Sequence, residues 1–278
     1  PMLFGFYISL TDFDGMSLSH ASYVGLANYK EALQDSFLPH TFRLSFTYWI
    51  MSLSIGGAIA LGLALLLNRK MRGQGIFRTT FYLPTMVPVV VTVLLFGNLL
   101  AKDFGFLNLL LGWIRPGTNI DFVRDHGMAC MVALAVWGLG TNMVLFLAGL
   151  QGIPDELREA AAIDGANSRQ IFRYVTWPLL GPVTYFVILN GTVAAFQALA
   201  PATLISQVYG GWFGWQPLES TYVNVAYIFV NMFMLNKFGY GAALTWILFL
   251  VIMVLTLIIR AFNKRLVYYE IDQGGGGN

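Results

Sequence analysis

The chain is 278 residues long, 57% apolar and only 11% charged, with 16 Lys and Arg against 14 Asp and Glu. So little charge, together with a positive mean hydropathy, excludes an ordinary soluble domain and implies an integral membrane protein. The single cysteine, Cys130, excludes an internal disulfide and reads as a small packing residue inside a span.

A helix needs about 20 mostly apolar residues to cross the hydrocarbon of a bilayer. The opening "PMLFGFYISL" is apolar for about half that length and reads as the tail of a first span. Residues 44–67, 79–101 and 127–153 each lack Asp, Glu, Lys and Arg and are each long enough for one helix. In the first of these, Gly56, Gly57, Ala60, Gly62 and Ala64 predict close helix packing. The uncharged run 174–218 is too long for one span, so a helix over about residues 179–199 is expected, then a loop. In that loop "SQVYGGWFGWQPL" has turn chemistry, and its Trp and Tyr suit interfacial anchors, or else contact with a binding protein or stacking on a sugar. Residues 220–236 are uncharged but short, and carry Asn224, Asn231 and Asn236. Residues 238–259 form the last span, and the closing "IDQGGGGN" has the composition of a flexible tail. The expected fold class is therefore an all-α integral membrane protein, a bundle of six transmembrane helices with the first truncated. It forms one domain over residues 1–270, with a tail at 271–278. His20, His40 and His126 are scattered without ligand spacing, so no metal is assigned.

Orientation follows from the loops, because cytoplasmic loops carry the excess of Lys and Arg. Arg69, Lys70, Arg72, Arg78, Arg158, Arg169, Arg173, Arg260, Lys264 and Arg265 fall on one side, which is the richer in cations. That side is taken as cytoplasmic, and it holds the carboxyl end. If 220–236 crossed, the last three of these cations would lie outside, so that segment is expected to be an outer-surface or partly re-entrant helix.

The island "LQGIPDELREAAAIDGANSRQIFRYVTWPLLGP", residues 150–182, lies on the cytoplasmic side. Pro154 suits a helix start, and Asp155 and Glu156 follow where the helix dipole favours acids. Gly165 suits a left-handed stop, Asn167 or Ser168 a cap for a second short helix, and Pro178 its close. Ala160, Ala161, Ala162, Gly165 and Ala166 make a patch of little side-chain bulk beside the charges of Glu159 and Asp164. Such a surface suits docking, or serves as a plain connector of helix-favouring alanines.

These residues resemble the EAA loop of ABC-importer permeases: Glu159-Ala160-Ala161, two residues, Asp164-Gly165-Ala166, then Phe172, Pro178 and Pro182. The segments "YISLTDFDG", "YVGLANYKEAL", "LLLNRKMRGQGIFRTTFYLPTMVP" and "FGYGAALTWILFLVIMVLTLIIRAFNKRL" are similar to carbohydrate-importer permeases of the maltose and glycerol-phosphate type, and in particular to the first of their two permeases. Val175 and Trp177 depart from the family's usual Ile and Leu. The resemblance implies that the loop at 151–178 carries the coupling helix, with Glu159, Ala160, Ala161, Asp164, Gly165 and Ala166 seated in a cytoplasmic ATPase subunit. It implies a second permease, two ATPase subunits and an extracytoplasmic solute-binding protein as partners, in a bacterial or archaeal cytoplasmic membrane. Nucleic acid is not among the expected partners. The chain has no Gly-rich phosphate loop ending in Lys-Ser or Lys-Thr, so ATP and Mg are expected on the partner ATPases and the chain itself is not expected to be an enzyme.

A polar solute needs hydrogen-bonding groups inside the bilayer, where such side chains face the bundle interior or a watery cavity. The candidates are Asn142 with Thr141, near Trp137, and Asn190, Thr192 and Gln197, near Phe196. Asn190 and Gln197 are seven residues apart and share a helical face. An aromatic ring beside amides suits a sugar; these amides can equally join helices to each other. The rival class, a self-sufficient channel or secondary carrier, would carry intramembrane charges or an internal repeat, and neither is evident.

Overall fold

The computed structural model describes residues 2–69, 72–202 and 218–266. The aromatic loop and the glycine tail lie outside them. Among the described residues the regular elements are helices, with one isolated bridge between Thr11 and Tyr23.

In chain order, α1 (Met2–Ser9) and α2 (Ala27–Gln34) precede α3 (Leu38–Leu67). The start of α3 is fixed by the Asp35 carboxylate, which accepts the Phe37 N–H at 2.8 Å, and by Pro39 in the first turn, where a missing amide costs nothing. At 1.5 Å per residue α3 is about 45 Å long, enough to cross the hydrocarbon alone. The expected single span at 79–101 is instead two helices, α4 (Gln74–Tyr82) and α5 (Val89–Leu100), bent by 96°. The reason is local: Pro84 and Pro88 each remove an amide donor, and Val87, before Pro88, is driven to an extended ψ of 128°.

Beyond α6 (Phe106–Ile114), the expected span at 127–153 is likewise a pair, α7 (Phe122–Trp137) and α8 (Gly140–Gln151), bent by 48° at Gly138 and Leu139. The island supplies α9 (Asp155–Ile163) and α10 (Ser168–Leu179). Pro178 does not close α10. A wide turn at Phe172–Thr176, in which the Trp177 N–H reaches back to the Phe172 carbonyl, carries the helix past it. A 65° bend then leads into α11 (Gly181–Phe196). The segment at 220–236 contains α12 (Asn224–Met234), an apolar helix shorter than a span, and α13 (Phe238–Leu266) follows as the second helix able to cross alone. Counting each bent pair as one crossing gives up to five spans among the described residues.

The centre of the bundle is α3, which packs on α7, α8 and α11, while α13 packs on α1, α2, α11 and α12. Ala60 and Ala64 of α3 are fully buried in a cluster with Met143, Leu147 and Leu150 of α8, so this part of the small-residue stripe does allow close helix approach. Between α3 and α11, the Trp49 indole N–H donates to Thr192 Oγ1 at 2.9 Å, and that hydroxyl donates to the Ile188 carbonyl at 2.7 Å.

Candidate functional site

A cavity of about 590 Å³ opens where two of the three bent helix pairs, α4–α5 and α7–α8, meet the middle of α3. Its wall is built from Tyr48, Ser52, Leu53, Gly56 and Gly57 of α3, Pro84, Thr85, Val87 and Val89 at the α4–α5 break, and Trp137, Gly138, Leu139, Thr141 and Asn142 at the α7–α8 break. Val187, Gly191, Ala194 and Ala195 of α11 complete it, with Thr92, Val93 and the segment around Gln197 and Pro201. The two breaks are brought together at Gly140, where an added Cβ would stand 2.5 Å from the Phe81 carbonyl oxygen and 2.9 Å from the Tyr82 Cα. Only glycine lets these backbones approach so closely. Gly56 and Gly57 have the opposite surroundings: nothing lies within 4 Å of the Cβ each would carry. The sequence reading of the whole stripe as packing is thus corrected, because Gly56 and Gly57 hold open space on the cavity wall.

Of the residues expected along a solute pathway, the structure brings Trp137, Asn142 and Gln197 onto this wall and leaves Asn190 and Phe196 off it. The cavity face of α11 runs through 187, 191, 194 and 195, so Asn190 lies about 100° round the helix. Asn190 is exposed, and its amide donates to the Phe186 carbonyl at 3.1 Å. Gln197 is the C-terminal cap of α11, with its N–H on the Val193 and Ala194 carbonyls at 3.2 Å, and it lies on the wall while Asn190 does not. Phe196 is 2% exposed and packs edge-on to Phe46, with ring centroids 5.3 Å apart. Thr192 is buried in the Trp49 contact.

The island forms a second region, set apart from the cavity. On α9, Glu159 and Ala160 are exposed and Ala161 is half-buried; Asp164 and Gly165 are exposed and Ala166 half-buried. Gly165 has φ +84°, a left-handed stop. The Ala166 N–H bonds the Ala161 carbonyl at 2.9 Å and the Gly165 N–H the Ala162 carbonyl at 3.1 Å, which satisfies the orphan carbonyls of the helix end. Asn167 caps α10 in a reciprocal pair with Gln170. Ile163, the last residue of α9, is 86% exposed.

Arg158 was legible in the sequence only as one more cytoplasmic cation. Its Nη2 donates to the Leu150 carbonyl at 2.8 Å and the Ile153 carbonyl at 3.4 Å, and its Nη1 lies 3.6 Å from the Asp155 carboxylate. The guanidinium therefore occupies the negative end of the α8 dipole and ties α9 to it.

At the opposite end of α3, Asp35 gathers three donors: the Tyr227 hydroxyl, the Tyr240 hydroxyl at 2.8 Å and the Phe37 N–H. Burial pushes this carboxyl up, but the hydrogen bonds from Tyr227, Phe37 and Tyr240 outweigh it and hold it below the ordinary 3.8. Burial and the bond to Asp35 push the Tyr227 phenol up to about 12. These contacts tie α2, α12 and α13 together.

Residues 34–268 match the family described as "Binding-protein-dependent transport system inner membrane component". Over 274 residues the chain is 32% identical to the probable ABC transporter permease protein YesP of Bacillus subtilis strain 168, covering 97% of this chain and 86% of that protein. It is 34% identical over 254 residues to the arabinooligosaccharides transport system permease protein AraP of Halalkalibacterium halodurans, covering 88% and 78%. Its fold is that of a chain in the crystal structure of a bacterial ABC transporter involved in the import of the acidic polysaccharide alginate, with a TM-score of 0.81 at 19% identity, covering 96% of this chain and 89% of that one.

Proposed function

The chain belongs to the family of binding-protein-dependent transport system inner membrane components, and we propose that it is a permease subunit of an ATP-driven ABC importer that carries carbohydrate inward. The observation that carries the reading is the cavity at which two membrane-length helix pairs break. Broken helices at mid-depth expose backbone and polar groups to a solute, while the rest of each pair keeps its own backbone bonds satisfied in lipid.

In this reading the chain has six spans in a bacterial or archaeal cytoplasmic membrane, with the first span represented by α1. The island and the carboxyl end lie on the cytoplasmic side, and α12 lies at the outer surface. A second permease supplies the other half of the pathway, an extracytoplasmic binding protein delivers the solute, and two cytoplasmic ATPase subunits bind ATP and Mg. When those subunits close around nucleotide they push on α9, with Glu159, Ala160, Ala161, Asp164, Gly165 and Ala166 as the docked surface. Arg158 passes the push to α8, and α8 forms the cavity wall at Thr141 and Asn142. A change in the solute's access requires such a differential free energy between two states, and ATP supplies it.

Uptake by the complete complex in proteoliposomes tests this. Glu159→Lys reverses a charge on the docked face, and Gly165→Pro forbids the φ of +84°. Each is expected to abolish ATP-driven uptake while membrane insertion persists; normal uptake in both rejects the docking role.

A further inference from the structure

Polar side chains are costly at bilayer depth, so those kept on a cavity wall reflect what passes it. Here they are Ser52, Thr85, Thr92, Thr141, Asn142 and Gln197, hydroxyls and amides without formal charge, beside the rings of Tyr48 and Trp137. Among the described residues no Asp, Glu, Lys, Arg or His lines the cavity. Residues 203–217, which follow the wall residue Pro201 in sequence, contain none of these types either. An anionic group entering such a space would give up hydration and meet no counter-charge on the described wall of this chain. A hydroxyl meets groups that both donate and accept. Among the described residues, the Asn142 and Gln197 side-chain amides on this wall make no hydrogen bond. The indole of Trp137, 45% exposed, offers an apolar face to sugar C–H groups.

Resting on the carbohydrate reading above, we propose that this wall selects an uncharged, hydroxyl-rich solute, a neutral sugar or oligosaccharide, and discriminates against uronic acids and phosphate esters. The shared fold with an alginate importer does not extend to acidic cargo.

The test uses the complex assembled with its partner permease and ATPases, without any solute-binding protein, so that delivery does not set the selectivity. Tryptophan fluorescence is titrated with arabinotriose, with trigalacturonate and with glycerol 3-phosphate. The expected result is a saturable change with arabinotriose that disappears in Trp137→Phe, and binding of both anions weaker by on the order of tenfold or more. Equal or tighter binding of either anion overturns the inference. In a second arm Gln197→Lys places a cation on the wall and is expected to shift the preference toward trigalacturonate. An unchanged ratio of anion to neutral binding would show that this wall does not select on charge. If none of the three binds and none is taken up by the full system, the carbohydrate reading itself falls, and the inference with it.

Discussion

Gly140 of α8 lies so close to Phe81 of α4 that a Cβ on the glycine would stand 2.5 Å from the phenylalanine carbonyl oxygen. This contact joins the two breaks that frame the cavity. One helix pair bends by 96° and the other by 48°, and both do so where the cavity needs room beside α3. The obstructing atoms belong to backbone, so they cannot rotate away as a side chain could.

Gly140→Val is therefore expected to destabilise the chain by about 1–3 kcal/mol, the usual cost of forcing bulk into a filled contact. Thermal unfolding in detergent measures it. Gly56→Ala provides the contrast, because the added methyl meets only open space. It is expected to leave the melting temperature nearly unchanged and to reduce solute binding by narrowing the cavity.

Arg158→Ala removes the bonds to the Leu150 and Ile153 carbonyls. ATP-driven uptake is expected to fall several-fold while the assembled ATPases continue to hydrolyse ATP, because the push on α9 no longer reaches α8. Arg158→Lys, which keeps the charge but loses the fork, is expected to restore part of the uptake. An unchanged ratio of transport to hydrolysis in the alanine variant would contradict the linkage.

The Asp35 contacts give stability a pH dependence of defined sign. Its folded carboxyl sits below the ordinary 3.8, so its contribution is complete above that value and is lost as pH falls through it toward the folded value. Tyr227, raised to about 12, behaves oppositely: its contribution is present below pH 10 and is lost as pH rises toward 12. Melting temperatures of wild type and Asp35→Asn are expected to differ at neutral pH and to converge below about pH 3.8. A constant difference across that range would exclude the ionised carboxylate as the source.

Trp49→Phe removes the donor to Thr192 while leaving that hydroxyl its bond to Ile188. A loss of about 1 kcal/mol is expected, typical of one neutral hydrogen bond. Thr192→Val should cost a similar amount, and the double variant less than the two single losses together, since both remove one bond.

Much of the fold was legible because the bilayer imposes simple demands. Uncharged runs of the right length marked the membrane helices, and the bounds 44–67 and 238–259 lie within α3 and α13. The local grammar of the island was equally readable: Gly165 takes the positive φ that favours glycine, and Asn167 caps through its own side chain. The breaks were not read, although Pro84, Pro88 and Gly138 stood in plain sight, because counting apolar residues treats a kinked pair and a straight helix alike. The lining of the cavity was legible in part, through Trp137, Asn142 and Gln197. Asn190 and Gln197 were expected on one face, yet only Gln197, the C-terminal cap of α11, lines the cavity.

By itself, then, the sequence determined that this chain lives in lipid, where α3 and α13 run and how the island is capped. These follow from solvation and from contacts spanning a few residues. Only the tertiary structure decided that Gly56 and Gly57 hold space open while Ala60 and Ala64 close it, that Trp137, Asn142 and Gln197 meet across one cavity, and that Arg158 joins α9 to α8. Those outcomes depend on which helix faces which. Inside an apolar bundle that choice is made by the fit of surfaces, and hydropathy, nearly uniform along every span, carries little record of it.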